Sequence, residues 1–134
     1  DKQIKCLIRI SNLIIKKYKI DKNRILGHSD IAPLRKIDPG EKFPWKLLSK
    51  KKIGVWHDIN SKILKPLRGK KTELNLQKFV IYLKNLGYRI EFSNSNELRK
   101  ILKIFQMRFR PELIDGKLDN ECYKIAKSLY NLRK

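Results

Sequence analysis

Apolar residues recur at helical spacing at both ends of the chain and lose that period in the middle. Ile4, Leu7, Ile14 and Tyr18, with Ser11 in the same register, predict an amphipathic helix over residues 3–19. Lys16, Lys17 and Lys19 crowd its last turn, where cations complement the helix dipole. Asp21-Lys22-Asn23 turns the chain, and Arg24-Ile25-Leu26-Gly27 is short and apolar enough to be a strand that delivers His28 at its end. Pro33, Pro39, Gly40 and Pro44 then interrupt any period and predict a rigid loop from Ser29 to Trp45, after which Trp45-Lys46-Leu47-Leu48 opens a short helix.

From Trp56 to Lys71 the chain is polar and lysine-rich, with Pro66 and Gly69, and reads as a linker. A three-helix pattern follows. Thr72 is placed to cap a helix carrying Leu76, Phe79, Val80 and Leu83, stopped by Gly87. Asn94 with Glu97 forms a capping-box start for Leu98, Ile101, Leu102, Phe105 and Phe109, and Pro111 ends that stripe. Asp115-Gly116 is a turn, and Asp119 caps a last helix with Cys122, Ile125, Leu129 and Leu132. The C-terminal helices each own an apolar stripe and are expected to fold by themselves. A lone strand leaves unpaired edges, so the N-terminal piece is expected to be loosely ordered.

Composition narrows the picture. With 134 residues, 41% of them hydrophobic, the chain can form one domain or two small ones. No apolar run reaches the length of a membrane span. The opening Lys2-Gln3-Ile4-Lys5-Cys6 lacks the apolar stretch and small-residue cleavage site of an export signal, so a leader is expected upstream if the parent protein is exported. Cys6 and Cys122 match no metal spacing, and Cys122 reads as a buried thiol on a helical stripe. The net charge of +20 favours a polyanion. The lysines, however, are spread along the chain instead of being gathered with arginine and aromatics on one face, so dedicated nucleic-acid binding is disfavoured against compositional drift.

The candidate chemistry lies in the irregular loop. His28, Lys36 and Asp38 bring an imidazole, a cation and a carboxylate onto a segment stiffened by Pro33 and Pro39. Imidazole and carboxylate are both zinc donors, and a nearby ammonium can stabilise the oxyanion formed when an amide is attacked. Catalytic zinc takes three protein ligands plus water, so this is a half-site. The plainer alternatives are a loop histidine, a turn aspartate before Pro39-Gly40, and one more solvated lysine. Asp30 is either a partner that orients His28 or a helix or turn cap. His57, beside Trp56, reads as a surface histidine. Trp45, Trp56, Tyr88, Phe105 and Phe109 read as packing residues. Arg108 and Arg110 could meet peptide carboxylates, or be solvated charge.

The wording of the loop is more specific than its composition. Gly27-His28-Ser29-Asp30-Ile31-Ala32-Pro33, then Arg35-Lys36, Asp38-Pro39-Gly40 and Phe43-Pro44-Trp45, resembles the C-terminal part of the zinc N-acetylmuramoyl-L-alanine amidases of the AmpD type. The likeness continues through Ile53-Gly54-Val55-Trp56. The later half, with Leu86-Gly87-Tyr88, Phe105-Gln106-Met107-Arg108-Phe109-Arg110-Pro111 and Asp115-Gly116, looks like the peptidoglycan-binding module of the longer, envelope-located members. The resemblance implies that His28 and Asp38 are zinc ligands, that Lys36 is catalytic beside the metal, and that the reaction is hydrolysis of the amide between N-acetylmuramic acid and L-alanine. Such a protein would work in the bacterial cell envelope on peptidoglycan or muropeptides.

In that family a first zinc histidine and a glutamate base lie upstream, and nothing before His28 here is either residue type. The chain therefore reads as a partial α/β amidase domain (helix, strand and long loop) over residues 1–56, a linker over 57–71, and an all-α three-helix peptidoglycan-binding-like module over 72–134, with an N-terminal half of the amidase domain as a missing partner. Two rival readings stand beside it: a non-catalytic wall-binding remnant, and a basic polyanion-binding protein.

Overall fold

The C-terminal half carries the hydrophobic core. In the computed structural model, which describes residues 2–71 and 74–133, α5 (Leu76–Asn85), α6 (Ser95–Phe109) and α7 (Asn120–Asn131) form where the apolar periodicity predicts helices. The Asn94 side chain accepts from the Glu97 N–H at 3.0 Å while Glu97 reaches back to the Ser93 N–H at 2.7 Å, and Asp119 caps α7 through the Cys122 N–H at 2.8 Å. The predicted cap Thr72 lies outside the described residues. Asn75 caps α5, accepting from the Lys78 N–H at 2.9 Å.

The apolar stripes meet in one cluster. Phe79 and Phe105, both fully buried, meet edge to face at 5.5 Å, and Phe109 lies 5.2 Å beyond Phe105. Each such side chain contributes roughly 1.5–3 kcal/mol by leaving water. Ile101, Ile125, Leu129 and Cys122 complete the centre. Gly87 (φ +93°) ends α5 in the left-handed region, where glycine is favoured, and a Cβ there would stand 2.7 Å from Leu26 Cδ1, so any larger residue would also push that methyl aside.

Residues 57–71 contain α4 (Ser61–Leu64) and a 3₁₀ turn (Lys65–Leu67). Leu64 enters the core. Arg68 grips Glu121 of α7 with two hydrogen bonds (2.7 and 2.9 Å), and the Gly69 N–H donates to Asp119 at 2.9 Å. This passage is packed against the helices.

The N-terminal half corrects two expectations. No strand occurs among the described residues, so the α/β assignment fails and the architecture is helical. Ile25 and Gly27 do have extended dihedrals. A strand, however, needs a neighbour to complete its ladder, and none is present among the described residues. Side chains serve instead: the Ile25 carbonyl accepts from Arg108 Nη2 at 3.3 Å, and the Gly27 N–H donates to Asp30 Oδ2 at 2.7 Å. The segment from Gly27 onward is not loose either. It is anchored to α6 by the buried pair of Asp30 and Arg108. Helix α1 (Lys2–Tyr18) forms as the period predicts but buries no residue, and Ile10, Leu13, Ile14 and Tyr18 are exposed. After it come α2 (His28–Ile31), the Pro/Gly-rich loop and α3 (Trp45–Ser49).

Candidate active site

The site is built on a turn. Gly27 caps α2 with extended backbone, and Asp30, at the third helical position, returns its carboxylate to the Gly27 N–H. His28 opens the helix instead of ending a strand. The chain then runs through Pro33 and the Ala32–Lys36 turn, where the Lys36 N–H donates to the Ala32 carbonyl at 2.9 Å, and returns at Asp38. There the Ser29 N–H donates to the Asp38 carbonyl at 2.9 Å, so the backbone itself pins the two ends of the loop together.

That closure brings His28 Nδ1 and Asp38 Oδ2 to 3.2 Å, with side chains 51% and 62% exposed. Both side chains face solvent. The Lys36 side chain is also exposed, and it makes no ion pair with either residue among the described contacts. A shallow hollow of about 270 Å³ borders Asp38, lined by Ile37, Pro39, Gly40, Glu41 and Met107. Met107 belongs to α6, so the helical half reaches the rim of the site.

Among the described contacts none joins the Asp30 side chain to the His28 ring. Asp30 is 1% exposed and serves as the α2 cap and as the partner of Arg108. Burial, and next the Asp30 carboxylate, push the Tyr88 hydroxyl well above its ordinary range. Arg108 is neither free to meet a peptide carboxylate nor a solvated charge: it is buried with Asp30, its guanidinium carbon 4.0 Å from the centre of the Trp45 ring. Arg110, also 1% exposed, lies 3.3 Å from Asp119 and 3.6 Å from Glu121. The signal for Arg108 was its place on the α6 stripe, one turn after Phe105. His57 is half-buried and stacked on Trp56 at 5.1 Å, and burial lowers its pKa. It is not the surface histidine expected. Trp45 is a packing residue, edge-on to Phe43 at 4.8 Å.

Known proteins resemble this chain in sequence and in fold. The chain is 36% identical over 129 residues to N-acetylmuramoyl-L-alanine amidase AmiD of Escherichia coli (strain K12), which spans 95% of this chain and 47% of that protein. It is 53% identical over 47 residues to 1,6-anhydro-N-acetylmuramyl-L-alanine amidase AmpD of Haemophilus influenzae, 34% of this chain and 26% of the relative. The E. coli AmiD structure, a complex with the substrate anhydro-N-acetylmuramic acid-L-Ala-D-gamma-Glu-L-Lys, superposes with a TM-score of 0.83 at 34% identity, over 97% of this chain and 51% of that one. This chain is homologous to part of the AmiD/AmpD-type amidases. AmpDH3 of Pseudomonas aeruginosa, in complex with anhydromuramic pentapeptide, superposes on the homologous segment with a TM-score of 0.79 at 30% identity, over 97% of this chain and 52% of the other. No protein-family profile matches the chain. The chain spans about half the length of AmiD, 47% by sequence.

Proposed function

We propose that this chain carries the second half of a zinc N-acetylmuramoyl-L-alanine amidase site, with His28 and Asp38 as metal donors and Lys36 as the catalytic cation. The observation that carries the reading is the 3.2 Å approach of His28 Nδ1 to Asp38 Oδ2 inside the homologous segment. Two donor atoms at about 2.0–2.1 Å from one tetrahedral ion stand about 3.3 Å apart, so the pair has the spacing of two neighbouring zinc ligands. The fit stops at two: no group of three histidine, cysteine or acidic side chains that could hold a metal is found among the described residues. A third ligand and a base must come from outside them.

When bound, zinc supplies Lewis acidity and a water acidic enough to attack an amide near neutral pH. The chain's own residues do the rest. The Ser29–Asp38 backbone bond fixes the donors against each other. The Lys36 ammonium, on its exposed turn, favours the negative charge that develops on the amide oxygen between N-acetylmuramic acid and L-alanine. The hollow at Met107 and Ile37 gives an apolar rim for the substrate.

Peptidoglycan or its soluble muropeptides are the proposed partners, and the bacterial cell envelope the proposed location. The relatives' names and bound ligands support both. The net charge of +20 suits the carboxylate-bearing wall without requiring a nucleic acid. No helix among the described residues is long and apolar enough to cross a membrane. The test is incubation of the zinc-supplemented chain, mixed with the N-terminal half of an AmiD-type amidase to supply the missing ligand and base, with anhydro-N-acetylmuramyl tripeptide, following release of free peptide by chromatography. Release that falls by about a hundredfold in Lys36→Ala supports the reading.

The donor set of two favours one alternative, a segment that binds wall without cleaving it. No peptide release, together with retention on purified peptidoglycan, would select that alternative.

A further inference from the structure

We propose that Arg108, on the helical half, is the positioning residue of the His28–Asp38 pair. The proposal rests on the reading of that pair as the metal donors and assigns the pair's geometry to a side chain far away in sequence.

Four observations converge. Arg108 and Asp30 are 4% and 1% exposed, and their charges are paired with each other. Arg108 Nη2 also donates to the Ile25 carbonyl at 3.3 Å, so one guanidinium holds the chain on both sides of His28. Its plane lies 4.0 Å over Trp45, from the far end of the same loop. Gly54 (φ +74°) makes room for the indole beneath the guanidinium: a Cβ there would meet Trp45 Cζ3 at 3.1 Å, while Arg108 Nη2, 3.5 Å away, stands at ordinary contact distance.

The clamp matters because the donors have little support of their own. The His28 and Asp38 side chains are more than half exposed, and among the described contacts each is hydrogen-bonded through its side chain to the other. Their separation therefore follows from the backbone at 27–30 and 38, joined by the Ser29–Asp38 bond. Asp30 holds the Gly27 N–H, one residue before His28. Arg108 neutralises Asp30 where water cannot, and without it the carboxylate would have to leave the interior or be protonated. Either change releases the cap on which His28 stands. A planar fork serves the carboxylate, the carbonyl and the indole face at once, which a lysine ammonium cannot do.

The test is amide hydrogen exchange on the 134-residue chain, with Ser29 reporting the loop and Ile125 and Leu129 of α7 reporting the core. In Arg108→Met, Ser29 should exchange at least roughly tenfold faster while the α7 amides keep their protection, and Arg108→Lys should recover part of the loss. Unchanged Ser29 exchange with an intact α7 overturns the proposal. If all amides speed up together, the double variant Asp30→Asn/Arg108→Met decides. It removes both buried charges while leaving a side-chain oxygen for the Gly27 N–H. Selectively fast Ser29 there supports the clamp, and either uniform or wild-type exchange overturns it.

Zinc affinity in the same variants gives the second readout. Arg108→Met should weaken it by about 10–100-fold, and an unchanged affinity beside fast Ser29 exchange overturns the positioning role. If the wild-type chain binds no zinc, it is the metal reading that has failed. The exchange data then decide the clamp alone.

Discussion

Glu121→Ala should cost this chain about 3 kcal/mol, because that carboxylate ties the passage at 57–71 to the helices. Glu121 is 1% exposed and takes Arg68 through two bonds of 2.7 and 2.9 Å, with Arg110 at 3.6 Å. Removing one partner of a buried pair costs about 3–5 kcal/mol, since a charge is left without compensation. Two features put this case at the lower end. Arg68 is 26% exposed and can regain water, and Arg110 keeps Asp119 at 3.3 Å and Asp115 at 3.7 Å. Urea unfolding followed by far-UV circular dichroism measures the effect. With a slope of about 2 kcal/mol/M, the midpoint should fall by about 1.5 M. Glu112 is the internal control, since it faces the same Arg68 at 3.9 Å while 62% exposed. Its removal should cost under about 0.5 kcal/mol. A loss below about 1 kcal/mol in Glu121→Ala, or equal losses in the two variants, would refute the argument that burial makes the difference.

Phe105→Ala, at the centre of the aromatic cluster, should cost about 3–5 kcal/mol in the same assay. A thiol reagent should label Cys6, which is exposed, within minutes, and Cys122 only after denaturation, because burial pushes the Cys122 thiol up to about 12. Burial lowers the His57 pKa, so the folded chain binds that proton less readily than the unfolded one. Stability contributed by neutral His57 is full above its ordinary value of 6.5 and is lost as pH falls toward the folded value. Thermal melts from pH 7.5 to 5 should show this loss in the wild type and a smaller one in His57→Gln.

What could be read from the chain divides by range. Helix α6 was legible to its cap, because Asn94, Glu97 and the stripe from Leu98 to Phe109 are local signals that the fold satisfies locally. The pairing of His28 with Asp38 was legible as a motif. The strand expected at 24–27 is absent among the described residues: Arg24 ends a 3₁₀ turn, and although Ile25 and Gly27 are extended, extended backbone becomes a strand only beside another, which no local pattern can supply. The burial of Arg108 was only half legible: its place on the α6 stripe hints at it, but its partner Asp30 is 78 positions away, and an arginine between Met107 and Phe109 looks solvated until that partner is known. The lysines and Pro66 of the passage at 57–71 suggested a linker, yet Leu64 and Arg68 there find their partners in α7 and the core.

Zinc content per chain after dialysis, measured on the wild type, His28→Ala and Asp38→Ala together, tests the central claim most directly. The account predicts zinc retained by the wild type in proportion to chain and lost in both variants. Wild-type chain that retains zinc equally well in both variants, or retains none at all, would contradict the assignment of His28 and Asp38 as a metal half-site.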